Sequence, residues 1–241
     1  MFTVTEKIEL KGTIKGIYKT MGRAIADYGM VCSGDRVLVG VSGGVDSLSL
    51  LQLFKMRQER IPIDFEIVAC LVNTNFIKVN QEALADYCRA LEIDFVVKEL
   101  SLDADEVNCF WCSWNRRKIL FEVARDLRCN KVALGHNLDD IVETTLLNLF
   151  FLGEISSMKP KVELFEGKVT IIRPLCYLEK TKIKDFASRF SFPVTQYECA
   201  YGKDSRRAAM RELIGRLESE YPFVKKNIFG ALGRVKKDYL L

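Results

Sequence analysis

The sequence predicts an α/β protein built on a doubly wound, mostly parallel sheet, with helical extensions at both ends. Three observations predict it. Short β-rich runs alternate with longer segments whose apolar residues recur at helical spacing, the pattern of strands joined by crossover helices. Three polar or glycine-rich stretches, SGGVDS, NTNF and GHNLDD, each follow such a run, at the carboxyl edge where these sheets bind ligands. The chain is 241 residues long with 49% apolar and 28% charged residues, enough for one generous domain with a sizeable core.

The elements follow in order. Residues 6–30 place apolar side chains at helical spacing opposite several lysines, which predicts a surface helix. RVLVGV (36–41) is a strand, SGG a turn, and SLSLLQLFKM (47–56) a helix. FEIVACLV (65–72) is a strand ending in NTNF, QEALADYCRALEI (81–93) a helix, and DFVVKEL (94–100) a strand. NRRKILFEVARDL (115–127) is a helix and KVALG (131–135) a short buried strand. LDDIVETTLLNLFFLG (138–153) is a helix stopped by Gly153 as a C-cap glycine. KVELFEGKVTIIRPL (161–175) predicts a hairpin turning at Glu166-Gly167, EKTKIKDFASRF (179–190) a helix, and KDSRRAAMRELIGRLESEY (203–221) another, followed by a basic helical tail. The expected division is an N-terminal helix over 1–34, a nucleotide-binding and catalytic domain over 35–192, and a basic helical extension over 193–241.

With 36 Lys and Arg against 32 Asp and Glu, the net charge is only +4, so a polyanion partner requires local clustering rather than overall charge. The first residues mix charges of both signs and carry no apolar signal segment, and no apolar run approaches the ~20 residues of a membrane span. A cytoplasmic protein with no membrane partner is expected. In that compartment the eight cysteines are not a disulfide framework. Cys32, Cys70, Cys88, Cys129 and Cys176 are expected to be small buried hydrophobes.

SGGVDS joins a buried strand to a helix start. Gly43 and Gly44 let the backbone approach an anion, the helix N-terminus adds amide donors, Ser42 and Ser47 add hydroxyls, and Asp46 is placed to hold Mg2+ on bound phosphates. The loop is not a Walker A motif, since its lysine is missing. His136 is the sole histidine and follows Gly135 on the expected ligand edge, while Asp139 and Asp140 open the next helix, where Asp139 also suits a capping role.

Cys109 and Cys112 stand at i and i+3, followed by Arg116 and Arg117. Two thiolates do not complete a structural zinc site, and neither a second CxxC nor further histidines exist. With Cys199, three cysteines would hold three irons of a [4Fe-4S] cluster and leave the fourth open to an exogenous ligand such as hydrosulfide. Phe110, Trp111 and Trp114 would supply a low-dielectric shell or pack in the core. Lys203, Arg206, Arg207 and Arg211, with Lys225, Lys226, Lys236 and Lys237 beyond them, would form a phosphate-contacting RNA surface or a solvated helix face.

VLVGVSGGVDS resembles the pyrophosphate loop of the PP-loop ATP pyrophosphatase superfamily, and ALGHNLDDIVETTLLN resembles a second nucleotide-contacting motif of its tRNA-modifying members. CFWCSWNRRKILFEVARDLRCNKVALGHNLDD, with the downstream Cys199, is similar to the tRNA 2-thiocytidine synthetase branch, over most of residues 20–220. The resemblance implies a Rossmann-like fold that binds ATP with Mg2+ through Val41, Ser42, Gly43, Gly44, Val45, Asp46, Ser47, Asn73, Gly135, His136 and Asp140. It implies Asp46, Arg116 and Asp140 as catalytic residues, a [4Fe-4S] cluster on Cys109, Cys112 and Cys199, and RNA contacts by Lys203, Arg206, Arg207 and Arg211. The implied reaction adenylates a tRNA base carbonyl, most simply cytidine C2, releases pyrophosphate, and replaces oxygen by sulfur with loss of AMP. The implied partners are tRNA and a sulfur donor such as a cysteine desulfurase or free sulfide, with a homodimer admissible. The alternatives are persulfide-based thiolation or lysidine-type amidation by another PP-loop enzyme, and a non-catalytic nucleotide-binding regulator.

Overall fold

The computed structural model describes residues 8–76, 79–101, 109–195 and 205–239. Helix α1 (Gly12–Asp27) leads into strand β1 (Asp35–Gly40), helix α2 (Val45–Gln58) and strand β2 (Phe65–Thr74). Helix α3 (Gln81–Ala90), strand β3 (Asp94–Leu100), helix α4 (Cys109–Asp126) and strand β4 (Lys131–Ala133) follow. After helix α5 (Leu138–Phe151), strands β5 (Lys161–Leu164) and β6 (Val169–Ile172) form the predicted hairpin. Helices α6 (Lys180–Ala187), α7 (Ser205–Glu220) and α8 (Val224–Ala231) complete the fold.

The six strands form one sheet in the order β3-β2-β1-β4-β6-β5. Every pairing is parallel except that of β5 with β6, which is antiparallel. The order grows outward on both sides of β1, so the strand direction of winding reverses between β1 and β4. The crevice in which open α/β sheets bind their ligands lies at that reversal.

Alternation along the strands builds two cores. Val37, Val39, Ile67, Ala69 and Leu71 face the layer made by α1, α2, α3 and α6. Leu38, Val68, Cys70 and Val72 point the other way, onto Leu120, Val123 and Ala124 of α4. Both faces are therefore apolar, as a parallel sheet sandwiched between helices requires. A third, smaller core joins Leu138, Val142 and Leu146 of α5 to Met210 and Ile214 of α7.

The cysteine expectation needs one correction. Cys70, Cys88, Cys129 and Cys176 are buried, whereas Cys32 is exposed. Its amide donates to Asp35 Oδ2 at 2.7 Å, and this tight turn before β1 leaves the thiol outside the core. Burial pushes the Cys70, Cys88 and Cys176 thiols up to about 12, which keeps them unreactive. Helix α4 also starts six residues before the predicted Asn115, so that CFWCSW forms its first turns. Gly153 ends α5 as predicted: its φ is +67°, and the Leu152 and Glu154 amides both donate to Asn148 O. Among the described residues, no helix is long and apolar enough to cross a membrane.

Lys225 of α8 is the buried link between the terminal helices and the sheet edge. Its side chain is 8% exposed, and its Nζ lies 2.8 Å from Asp139 Oδ1 and 2.6 Å from Glu218 Oε2. It is thus a strut rather than the RNA-facing lysine that sequence position suggested. Replacing it leaves two carboxylates facing each other without a cation. Lys225→Met is expected to lower stability by about 2–3 kcal/mol, read as a lower urea midpoint at unchanged m-value.

Candidate active site

The loop after β1 is shaped by its two serines. The Val41 amide donates to Cys70 O at 2.8 Å, so β1 stays in register with β2 up to the turn. The Ser42 amide then donates to Ser47 Oγ at 3.1 Å, and Ser47 Oγ–H donates to Gly44 O at 2.9 Å. The two hydroxyls lie 3.2 Å apart and fold SGG back onto the first turn of α2. Gly43 sits at φ +77°, a conformation that a side chain would strain. Gly44 is the N-cap and caps no amide with a side chain, so the start of α2 is a positive dipole end suited to an anion.

The GHNLDD edge closes onto this loop. A Cβ on Gly135 would lie 3.1 Å from Ser47 N and 3.2 Å from Asp46 C, both backbone atoms with little room to yield. Only glycine lets the end of β4 lie against α2. Two residues on, Asn137 and Asp140 form a reciprocal capping box: the Asn137 amide donates to Asp140 Oδ2, and the Asp140 amide donates to Asn137 Oδ1. The capping of α5 therefore falls to Asn137 and Asp140. Asp139 instead accepts the Lys180 amide at the start of α6, at 2.7 Å, as well as Lys225 Nζ.

Asp46 and Asp140 come together at the reversal point, and both carboxyls are held above their ordinary range. Burial is the main cause for each; Asp140 adds to the rise at Asp46, while Lys180, 3.9 Å away, opposes it. Asp46 Oδ1 is buried with no hydrogen-bond partner. Two half-buried carboxylates with an unused, buried oxygen are a poor arrangement for protein alone and a good one for a hard divalent cation.

His136 is half-buried and faces Arg173, which follows β6. Arg173 Nε–H donates to His136 Nδ1 at 3.1 Å, and its Nη1 donates to Lys159 O at 2.6 Å. Burial, then the cations Arg173, Arg117 and Arg207, pull the imidazole down to about 3. With Nδ1 taken as an acceptor, the neutral ring carries its proton on Nε2 and offers a hydrogen bond there. It is a donor, not a base.

The remaining nucleotide candidates line the same edge. Asn73 ends β2 with Nδ2 donating to Glu99 Oε2 at 2.9 Å and Oδ1 unpaired, and Thr74 Oγ1 beside it is buried without a partner. Thr195 donates its amide to Gly43 O at 3.0 Å, and its buried hydroxyl, close to Gly43, is also without a partner. Val41 is buried and Val45 half-buried in the loop's flanks.

Cys109 opens α4, and Cys112 and Arg116, both half-buried, follow at i+3 and i+7 on the same helical stripe. Trp111 and Trp114 are stacked at 5.6 Å with an interplanar angle of 8°. At 41% and 45% exposure they are a surface pair, not core. Cys199 and Lys203 lie outside the described residues. Arg206 stands over the Phe151 ring, while Arg211 Nε binds Glu143 Oε1 at 2.9 Å and Arg207 lies 3.9 Å from Glu143 Oε2. Arg207 and Arg211 thus share one half-neutralising carboxylate on α5.

Sequence reasoning missed Arg173, Asn137, Lys180 and Thr195. The signal for Arg173 was a cation closing the otherwise apolar run VTII, just before proline. The signal for Asn137 was its place before the helix with Asp140 three positions on, a capping-box spacing; no local pattern marks Lys180 or Thr195.

A family model described as the PP-loop domain matches residues 17–217. The tRNA-cytidine(32) 2-sulfurtransferase of Geobacter sulfurreducens is 38% identical over 94% of this chain and 92% of its own. That of Geotalea uraniireducens is 37% identical over 93% of each chain. Among solved structures, the U34-tRNA thiolase NcsA from Methanococcus maripaludis, with its [4Fe-4S] cluster, superposes with a TM-score of 0.76 at 23% identity. It covers 92% of this chain and 78% of that one, and this likeness establishes the common fold.

Gly135→Ala is expected to weaken ATP binding at least tenfold, because the backbone of α2 must move by a few tenths of an ångström; calorimetric titration checks it. His136 is expected to remain neutral from pH 8 to pH 5, seen as one imidazole signal in the Nε2–H form by 15N NMR. Its lowered pKa contributes stability that is complete above about 6.5 and lost as pH falls towards about 3.

Proposed function

The chain belongs to the PP-loop family and, within it, to the tRNA-cytidine(32) 2-sulfurtransferases, and we propose that it thiolates cytidine in tRNA at the expense of ATP. The observation that carries this reading is the convergence of the SGGVDS loop, the Gly135 edge and two half-buried carboxylates at one point of the sheet. The β and γ phosphates of ATP rest on Ser42–Ser47, where Gly43 and Gly44 admit close approach and Ser42 and Ser47 shape the cradle. The adenosine lies towards Asn73 and Gly135, and the unpaired Thr195 hydroxyl faces the loop that receives the phosphates. Asp46 and Asp140 hold Mg2+, whose charge offsets the burial that raises both carboxyls. His136 donates from Nε2 to a phosphate oxygen, and Arg116 neutralises charge that develops as pyrophosphate leaves.

The C2 carbonyl oxygen of the base attacks the α-phosphorus, the bond to the bridging oxygen breaks, and pyrophosphate departs. Sulfur then bonds to C2 and the C2–O bond breaks with AMP as the leaving group. Adenylation is needed because the carbonyl oxygen alone is a poor leaving group. Cys109 and Cys112, one turn apart on a single stripe with Arg116, suit two of the three thiolate ligands of a [4Fe-4S] cluster, with Cys199 as the third. When bound, the cluster supplies the position from which sulfur is delivered. A cysteine desulfurase or free sulfide provides that sulfur, in the cytoplasm where tRNA resides.

On this reading, residues 1–34 support the sheet, 35–192 carry the chemistry, and 193–241 bring Cys199 and an RNA-facing surface of Lys203, Arg206, Arg207 and Arg211. Anaerobically purified protein given ATP, sulfide and unmodified tRNA is expected to release pyrophosphate and form 2-thiocytidine, read by nucleoside mass spectrometry. Asp46→Asn and Asp140→Asn are each expected to lower pyrophosphate release by about 100-fold or more. Full thiolation by a Cys199→Ala variant would rule out the cluster assignment, and an unchanged tRNA nucleoside profile in cells lacking the gene would rule out the function.

A further inference from the structure

The molecule has a concave surface, lined by none of the SGGVDS residues, between α4 and the β5–β6 hairpin. It encloses a cavity of about 1020 Å³. Its floor is aliphatic, from Val162, Val169 and Ile171, and its walls carry Trp114, Phe121 and Phe165. Six basic side chains line it against the single acid Glu122. In a chain whose cations and anions nearly balance, 36 to 32, this is a local concentration of positive charge.

Two features give the groove direction. Arg173 lines its inner end and, through its bond to His136, also belongs to the candidate active site; Arg117 lines the groove and lies close enough to depress the same imidazole. The groove therefore opens onto the reacting edge. At its outer end, Phe165 holds a left-handed backbone at φ +53° with a side chain 59% exposed, and packs edge-on against Phe121 at 5.7 Å. A bulky residue in that conformation is strained, and burial does not compensate it. The hairpin thus displays an aromatic ring over a basic, apolar-floored cleft.

We propose that this groove is the seat of single-stranded tRNA nucleotides flanking the target base, with bases stacked on Phe165 and Trp114 and phosphates held by Arg117 and Lys168. Aromatic platforms interleaved with cations are the combination by which proteins hold unpaired nucleotides. A base must leave its stack to be adenylated, and its neighbours then need a surface to occupy. The proposal rests on the tRNA reading above and adds to it a second RNA surface, distinct from the arginines of α7.

The test uses the full, anaerobically purified chain and an unmodified tRNA transcript. Phe165→Ala is expected to weaken tRNA binding about tenfold at fixed salt and leave ATP affinity unchanged, with Phe165→Tyr restoring it. Lys168→Ala is expected to reduce the slope of log affinity against log salt by about one. Unchanged tRNA affinity in both alanine variants would overturn the groove assignment while leaving the tRNA reading intact, provided wild type still forms thiocytidine. Equal loss in Phe165→Ala and Phe165→Tyr would overturn stacking. Normal tRNA binding with thiolation lost only when a protein supplies the sulfur would assign the groove to that donor instead. Absence of tRNA binding by wild type would overturn the earlier reading and this one together.

Discussion

The close approach of the end of β4 to the first turn of α2 is the contact on which the site depends. Gly135 packs on the backbone of Asp46 and Ser47 with no space for a methyl group. That contact exists because β1 and β4 are neighbours in the sheet although their sequences are about ninety residues apart, pairing Val39 with Ala133. With winding reversed between these strands, α2 and α5 both leave the same edge and open a crevice between them. A single glycine at the end of β4 then sets how deep that crevice is. The phosphate loop, the carboxylates and the imidazole are all within reach of one substrate because of it.

Charge pairs hold the outer helices to this edge. Asp139 takes the first amide of α6 and the ammonium of Lys225 on α8, and Lys225 also takes Glu218 on α7. Glu143 of α5 engages Arg207 and Arg211 of α7. Pairs with one buried partner add little net stability over apolar packing, but they constrain partner geometry. Their effect is registration: α6, α7 and α8 are indexed to Asp139 and Glu143 of α5. The C-terminal helices, which sequence presents as a basic surface, are also the clamp on the candidate active edge.

Across the same edge, Arg173 decides the chemistry open to the sole histidine. A half-buried imidazole among three cations stays neutral, and the guanidinium fixes which nitrogen holds the proton. Proton abstraction is thereby removed from His136, while hydrogen-bond donation to an anionic substrate is retained. The two carboxyls opposite are raised by burial, so the site as a whole waits for cationic charge near Asp46 and for anionic charge near α2.

Alternating strand and helix patterns, the SGGVDS loop, the GHNLDD edge and the C-cap at Gly153 were legible because each is a local arrangement of neighbouring residues. Period, turn chemistry and the strand-to-helix context of a glycine loop are written within a dozen positions. The Arg173–His136 bond, the Asp139–Lys225 pair and the Thr195 hydroxyl beside Gly43 join residues 37 to more than 150 positions apart, and no local periodicity encodes such pairs. Cys32 and the two tryptophans show the converse: apolar identity suggested burial, but a turn and the outer face of α4 place them in water. Sequence by itself determined which segments hold the glycine loop, the acidic edge and the cysteines that are candidates for the chemistry. Only the tertiary structure decided which of those groups meet, which are already occupied by a partner and which keep an unused atom for a ligand, because these depend on distances that strand order and helix packing impose.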